Sequence, residues 1–123
     1  MTGLTLDAGA LIGLERGSTR VRALLHRGAE DGVRIPAAVL AQVWRSGPRQ
    51  AVLARLLETR GTVVVALDRT GAQAAGGLLA ASATSNVVDA SVVVCAWRHG
   101  DVVVTSDPAD LLRLDPALRV VTL

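Results

Sequence analysis

Three aspartates occupy positions where acids could do chemistry. Asp7 directly follows the short apolar run Leu4 to Leu6, Asp107 follows Val102 to Thr105 by two residues, and Asp89 is the only charged side chain between Asn86 and Arg98. Each also has a plain structural role open to it. Asp7 suits the N-cap of a helix starting at Ala8. Asp107-Pro108-Ala109-Asp110 reads as N-cap, N1 proline and an acid at N3. Asp89 falls at N3 after an Asn86 cap, which points it at a helix N-terminus, where anions and phosphates collect. A lone carboxylate in an apolar helix is nonetheless costly unless something pairs with it. If Asp7, Asp89, Asp107 and Asp110 share one pocket, like charges within about 4 to 6 Å raise some of their pKa values and destabilise the fold. A divalent cation relieves that conflict. An all-carboxylate donor set with no His or Cys cluster selects Mg²⁺ or Mn²⁺ over Zn²⁺. Such a site suits phosphodiester hydrolysis, through activation of water and stabilisation of the leaving oxygen.

The elements that must position these acids alternate in type. Leu4 to Leu6 is a short strand, followed by a helix from Ala8 to Glu15 that Gly17 stops. Ser18 or Thr19 caps a second helix reaching about Glu30, with Val21, Leu24 and Leu25 facing inward. Val33 to Ile35 is the second strand. Pro36 fits the first turn of a helix to about Arg45, striped by Val39, Val43 and Trp44. After Gly47-Pro48, a fourth helix from about Arg49 to Thr59 turns Val52, Leu53, Leu56 and Leu57 inward. Val63 to Leu67 is the third strand, and Asp68 caps a helix from about Thr70 to Ala83 in which Gly76-Gly77 permits close packing. Val87 to Trp97 is apolar nearly all round, a helix for the core or for a dimer interface. Val102 to Thr105 is a β-branched run suited to a parallel strand covered on both faces, and Val120 to Thr122 supplies a last strand. The pattern predicts an α/β/α sandwich around a central, mostly parallel sheet of four or five strands. Right-handed crossovers then put every strand's carboxyl end on one edge, where open parallel sheets bind their ligands.

Composition sets limits on this picture. The 123 residues fit one domain, spanning 1–123, with a core of small aliphatic side chains, since there is no Phe or Tyr and only two Trp. All 13 basic residues are Arg. The absence of Lys argues against a P-loop NTPase or a phosphate-accepting receiver domain. A net charge of +2 is too small to imply strong non-specific nucleic-acid binding. Cys95 stands alone, which excludes an intrachain disulfide and a cysteine zinc cluster and points to a reducing, cytoplasmic setting. Neither a leader nor a membrane span is expected.

The segments Leu4 to Leu11, Ile35 to Arg45, Val88-Asp89-Ala90 and Val103 to Asp110, in this order and spacing, resemble the PIN-domain family, especially VapC-like toxins. The resemblance spans nearly the whole chain. It implies a PIN-like fold, Mg²⁺- or Mn²⁺-dependent cleavage of RNA, a homodimer, and a cognate antitoxin that inserts a peptide into the active-site groove. By position, Asp7 matches the family's first acid, Asp89 its third and Asp107 its fourth, with Asp110 as an accessory acid. Thr105 or Ser106 matches a polar residue that helps to position metal-bound water. Gln42 departs from the pattern, because it falls where the family usually has glutamate. An amide keeps an oxygen acceptor but loses the charge and any role as proton acceptor.

The leading expectation is therefore an endoribonuclease toxin. In it Asp7, Asp89 and Asp107 hold the cation, Asp110 supports it and Gln42 holds a metal water. Arg45 and Arg49, near the Gln42 end of their helix, could meet RNA phosphate or simply be solvated. A rival from the binding class is a degenerate PIN-like protein, crippled at Gln42, that binds RNA or an antitoxin without cutting. A third is a metal-dependent phosphatase or DNA nuclease on a similar sheet; the missing Asp-x-Asp at Asp7-Ala8-Gly9 and the missing Lys argue against a phosphatase of the haloacid-dehalogenase type. Trp44 and Trp97 are expected in the core or at a dimer contact, and neither His26 nor His99 is expected to be catalytic.

Overall fold

The strands of the computed structural model, which describes residues 2–123, are Leu4–Leu6 (β1), Val33–Pro36 (β2), Thr62–Val65 (β3), Val102–Thr105 (β4) and Val120–Thr122 (β5). They form one sheet in the order β3-β2-β1-β4-β5, and every neighbouring pair is parallel. The helices are Ala8–Glu15 (α1), Thr19–Gly28 (α2), Ala37–Val43 (α3), Ala51–Glu58 (α4), Arg69–Ser82 (α5), Val87–His99 (α6) and Pro108–Leu114 (α7), with a 3₁₀ turn at Pro48–Gln50.

The strand order fixes where a ligand can bind. From β1 the chain moves outward to β2 and β3, then crosses back through α5 and α6 to β4 on the other side of β1, and on to β5. With right-handed crossovers, the reversal places α1 to α4 on one face of the sheet and α5 to α7 on the other. Most helix contacts follow that division, with α1 touching α2, α3 and α4, while α5, α6 and α7 touch one another; α3 also meets α6. The reversal lies between β1 and β4, so the crevice beyond their carboxyl ends is the topological switch point. Asp7 and the segment Thr105 to Asp107 sit at its two sides.

Burial follows from the side chains. β1 is buried throughout, and Leu6, Leu11, Ile35, Leu53, Val92, Val93, Val103, Val104 and Leu111 are all 1% exposed or less. Each such aliphatic side chain contributes about 1.5 to 3 kcal/mol on leaving water. Ala90 to Ala96 of α6 are buried within the single chain, so that helix belongs to the core rather than to an outer contact.

Several elements depart from the sequence expectation. Pro36 closes β2 instead of opening α3, and its extended backbone fits a residue bound for the sheet edge. The expected fourth helix is split, because the chain makes a 3₁₀ turn after Pro48 before α4 starts at Ala51. The second helix stops at Gly28, two residues short of Glu30, and β3 ends at Val65 rather than Leu67. Gly76 and Gly77 are exposed, with open space where a side chain would project, so they do not serve close packing within the chain. Of the two tryptophans expected in the core or at a dimer contact, Trp44 packs against the core, and Trp97, 51% exposed on the single chain with its indole N–H donating to Asp115 at 2.7 Å, is outside the core.

Candidate metal centre

Thr105 connects the two sides of the switch point. Its buried hydroxyl donates to Oδ2 of Asp7 at 2.9 Å and accepts the backbone N–H of Asp107 at 3.0 Å. The other oxygen of Asp7 accepts the N–H of Ala8 at 2.8 Å. Asp7 thus caps α1 with one oxygen and is oriented by β4 with the other. Asp107 differs, since its side chain makes no capping hydrogen bond to α7 and is exposed. The capping alternative therefore does not explain Asp107. Backbone spacing is equally tight here. A Cβ at Gly9 would sit 2.8 Å from Cβ and 2.9 Å from the backbone nitrogen of Ser106, so only glycine lets the residue after Thr105 pass this close over α1.

Asp89 approaches from α6. Asn86 caps that helix by accepting the N–H of Asp89 at 3.0 Å, which puts Asp89 at N3 as expected. Its half-buried carboxyl has its pKa raised to about 6, first by loss of water and then by the negative charges of Asp7, Asp110 and Asp107. Acids from the end of β1, the β4–α7 turn and the first turn of α7 therefore act on the Asp89 carboxyl of α6. Asp89 and Asp110 line a hollow of about 260 Å³ with Thr84, Ser85, Asn86, Arg113 and Leu114.

The donor set fits a hard dication in chemistry. Among the described residues, the ion pairs join Arg34 to Asp101 and Arg98 to Asp68, so no arginine neutralises any of the four acids. As the side chains stand, no three His, Cys, Asp or Glu groups among the described residues converge tightly enough to ligate one ion. Asp107 and Asp110 are exposed, and their carboxylates make no hydrogen bond among the described residues. Oxygen ligands with no His or Cys suit Mg²⁺ or Mn²⁺.

Gln42 faces a hollow other than the one that Asp89 and Asp110 line. It is exposed and lines a groove of about 510 Å³ along the far half of α1, together with Ile12, Glu15, Arg16, Arg45 and Arg49. No hydrogen bond among the described residues joins it to the aspartates. The groove begins at Ile12, about 8 Å along the helix from Asp7. Ser106 is exposed beside Thr105, and its hydroxyl makes no hydrogen bond among the described residues. His26 and His99 are both exposed, and His99 Nδ1 pairs with the backbone oxygen of Cys95 at 2.9 Å.

Two important residues escape sequence reasoning. Asp101, just before β4, is buried against Arg34 at 2.6 Å and accepts the Thr5 hydroxyl at 2.8 Å. It stands at the opposite edge of the sheet from the four acids and anchors the strands rather than a ligand. Its signal was an acid abutting the β-branched run of β4. Gln50, 6% exposed, organises the turn after α3 through its side-chain amide, and nothing in its sequence context distinguishes it from a solvated glutamine.

The parallel five-stranded sheet, with acids gathered at its switch point, is a PIN-like α/β fold, as the motif resemblance implied. The same fold occurs in VapC-type solved structures. VapBC2 from Rickettsia felis, bound to a DNA fragment from its promoter, matches with a TM-score of 0.76 at 16% identity, over 98% of each chain. DNA-bound VapBC from Salmonella typhimurium matches with a TM-score of 0.76 at 19% identity, covering 99% of this chain and 98% of that one. FitAcB from Neisseria gonorrhoeae gives a TM-score of 0.67 at 19% identity over 95% of each chain. No family model and no curated protein matches the chain by sequence.

Among the described residues no single helix is long and apolar enough to cross a membrane.

Proposed function

We propose that this chain is a Mg²⁺- or Mn²⁺-dependent endoribonuclease, the toxin of a VapBC-like toxin–antitoxin pair. The observation that carries the reading is that Asp7, Asp107 and Asp110 stand close enough for their charge to act on the half-buried Asp89, with no arginine ion-paired to any of the four among the described residues. Asp7, Asp89 and Asp107 are the residues to hold the cation, with Asp110 in support. When bound, the ion supplies an activated water and charge stabilisation for the leaving oxygen. Thr105 keeps Asp7 oriented by donating its proton to Oδ2, so one ligand is set before any ion arrives. Arg16, Arg45 and Arg49 offer guanidinium donors along the groove to phosphates of a single-stranded RNA.

A titration with Mn²⁺ or Mg²⁺, following both thermal stability and cleavage of a mixed tRNA and rRNA pool, tests the assignment. The protein should gain stability and cleave, and Asp89→Asn should lose both responses. Ion-independent cleavage, or an undiminished response in Asp89→Asn, overturns it.

One observation favours a second reading, in which the site is degenerate and the protein binds RNA or an antitoxin without efficient cutting. Gln42 stands in place of an acid and lies in the basic groove, out of hydrogen-bond contact with the aspartates. A large gain in cleavage on Gln42→Glu supports this reading, and little change supports a working site. The partner assignment draws on neighbours named as VapBC and FitAB assemblies on DNA. An antitoxin peptide inserted at the active site of the four acids and pairing of two toxin copies are the associations expected here. Co-purification with the neighbouring gene product, and the mass of the isolated chain in solution, check them separately.

A further inference from the structure

The basic groove has a wall whose conformation its own residues do not favour. α3 ends at Val43, and the chain turns through Trp44, Arg45 and Ser46 into Gly47-Pro48. Ser46 sits at φ 57°, in the left-handed region that costs a non-glycine residue about 1 kcal/mol or more. Gln50 holds this turn in place from inside. Its Oε1 accepts the backbone N–H of Arg45 at 2.6 Å and of Ser46 at 3.0 Å. Its Nε2 donates to the backbone oxygen of Val43 at 2.7 Å and to Glu15 Oε1 at 3.3 Å. One buried amide thus uses both donors and both acceptor positions, joining the ends of α1 and α3 to the turn. A buried group so fully satisfied specifies a single backbone arrangement.

The turn carries the charges. Arg45 and Arg49 flank it and line the groove with Arg16. No carboxylate among the described residues ion-pairs with any of the three. Arg45 also donates from Nη1 to the Trp44 oxygen at 2.7 Å and to the Ala41 oxygen at 3.4 Å, so its guanidinium is placed by the turn and the end of α3, while its other side-chain nitrogens make no hydrogen bond among the described residues. Glu15 is the one acid lining the groove among the described residues, and the Gln50 amide engages it.

We propose that Gln50 is a positioning residue for RNA: its buried amide fixes the Arg45–Ser46 turn as the phosphate-binding wall of the groove. The inference rests on the ribonuclease reading, which supplies single-stranded RNA as the ligand. The test is binding of a short fluorescent single-stranded RNA in EDTA, where metal-dependent cleavage cannot proceed, across a salt series. Gln50→Leu should weaken binding about tenfold and lower the slope of log K against log salt by about 0.7 for each phosphate that is no longer neutralised. It should leave the Mn²⁺-induced rise in melting temperature unchanged, because the four acids lie elsewhere. Combining it with Arg45→Ala should weaken binding no further than Gln50→Leu alone, since both remove the same interaction. If Gln50→Leu fails to fold, Gln50→Leu with Ser46→Gly, which removes the cost of the left-handed φ, carries the same measurement. A wild-type salt slope in a folded Gln50 variant overturns the proposal. So do Arg45→Ala and Arg49→Ala variants that bind RNA as the wild type does, while metal-dependent cleavage in those variants leaves the ribonuclease reading standing. A wild-type protein that neither binds nor cleaves RNA removes both.

Discussion

Thr105 and Asp7, 98 positions apart in the chain, are joined by a 2.9 Å hydrogen bond from the buried hydroxyl to Oδ2. The same hydroxyl accepts the N–H of Asp107, so one side chain sets the distance between an acid at the end of β1 and an acid after β4. Thr105→Val keeps the shape and removes both bonds. It should cost about 1 kcal/mol of stability and lower Mg²⁺-dependent cleavage well beyond that cost, whereas Thr105→Ser should retain most activity. Chemical denaturation paired with cleavage assays checks both. Full activity in Thr105→Val would show that Asp7 needs no such orientation.

The raised pKa of Asp89 has a definite sign for stability. The folded protein holds a proton up to about pH 6, whereas the unfolded chain releases it near the ordinary value of 3.8. The Asp89 contribution to metal-free stability should therefore fall as pH rises through that interval and level off above it. Asp89→Asn removes the charge, so it should be more stable than wild type by about 1 kcal/mol at pH 8, after allowance for solvent screening, and equal to it near pH 4. Denaturation in EDTA at the two pH values measures this. A wild type that gains metal-free stability from pH 4 to 7 relative to Asp89→Asn would contradict it.

Gly9 tests the close approach of the β4–α7 turn. Gly9→Ala gains about 1 kcal/mol of helix propensity but meets the Ser106 Cβ and backbone nitrogen, and such overpacking costs about 1 to 3 kcal/mol. Global stability should fall by up to about 2 kcal/mol, the difference between the two terms, and Mn²⁺ affinity and cleavage should fall together as the turn is pushed outward. Adding Ser106→Gly, which removes side-chain atoms from the clash, should recover part of both. Metal binding by calorimetry reads the effect directly.

Asp101 should behave in the opposite way. Asp101→Ala leaves Arg34 without its partner and the Thr5 hydroxyl without its acceptor, and should cost about 3 kcal/mol of stability. The metal-induced stabilisation should persist in whatever fraction stays folded, because this pair lies at the far edge of the sheet. Thermal melts with and without Mn²⁺ separate the two effects.

Much of this arrangement was legible in local sequence. The β-branched run Val102 to Thr105 forms a buried central strand. The caps at Ser18, Asp68 and Asn86 each accept a backbone N–H of their helix. Asp7 and Asp107 could be singled out by their place after strands, Asp110 as the acid at N3 and Asp89 by its isolation in an apolar helix, and the structure brings the other three close enough to act on Asp89. Long-range relations were not legible. The single hydroxyl joining Asp7 to Asp107 depends on β1 lying beside β4, which local pattern does not encode. Gln50 and Asp101 are polar residues buried by tertiary contact alone. Trp97 sits on a helix whose apolar stripe turns inward at Val92, Val93 and Ala96, leaving the indole outside.

The central claim is that the acids of β1, α6 and the β4–α7 turn hold one cation site between them. A crystal grown or soaked with Mn²⁺ and measured for anomalous scattering tests it most directly. The account predicts a peak at the switch point with carboxyl oxygens of Asp7 and Asp107, and of Asp89 or Asp110, at about 2.0 to 2.2 Å. A well-ordered crystal with no peak there, or with manganese bound only at other carboxylates, would contradict it.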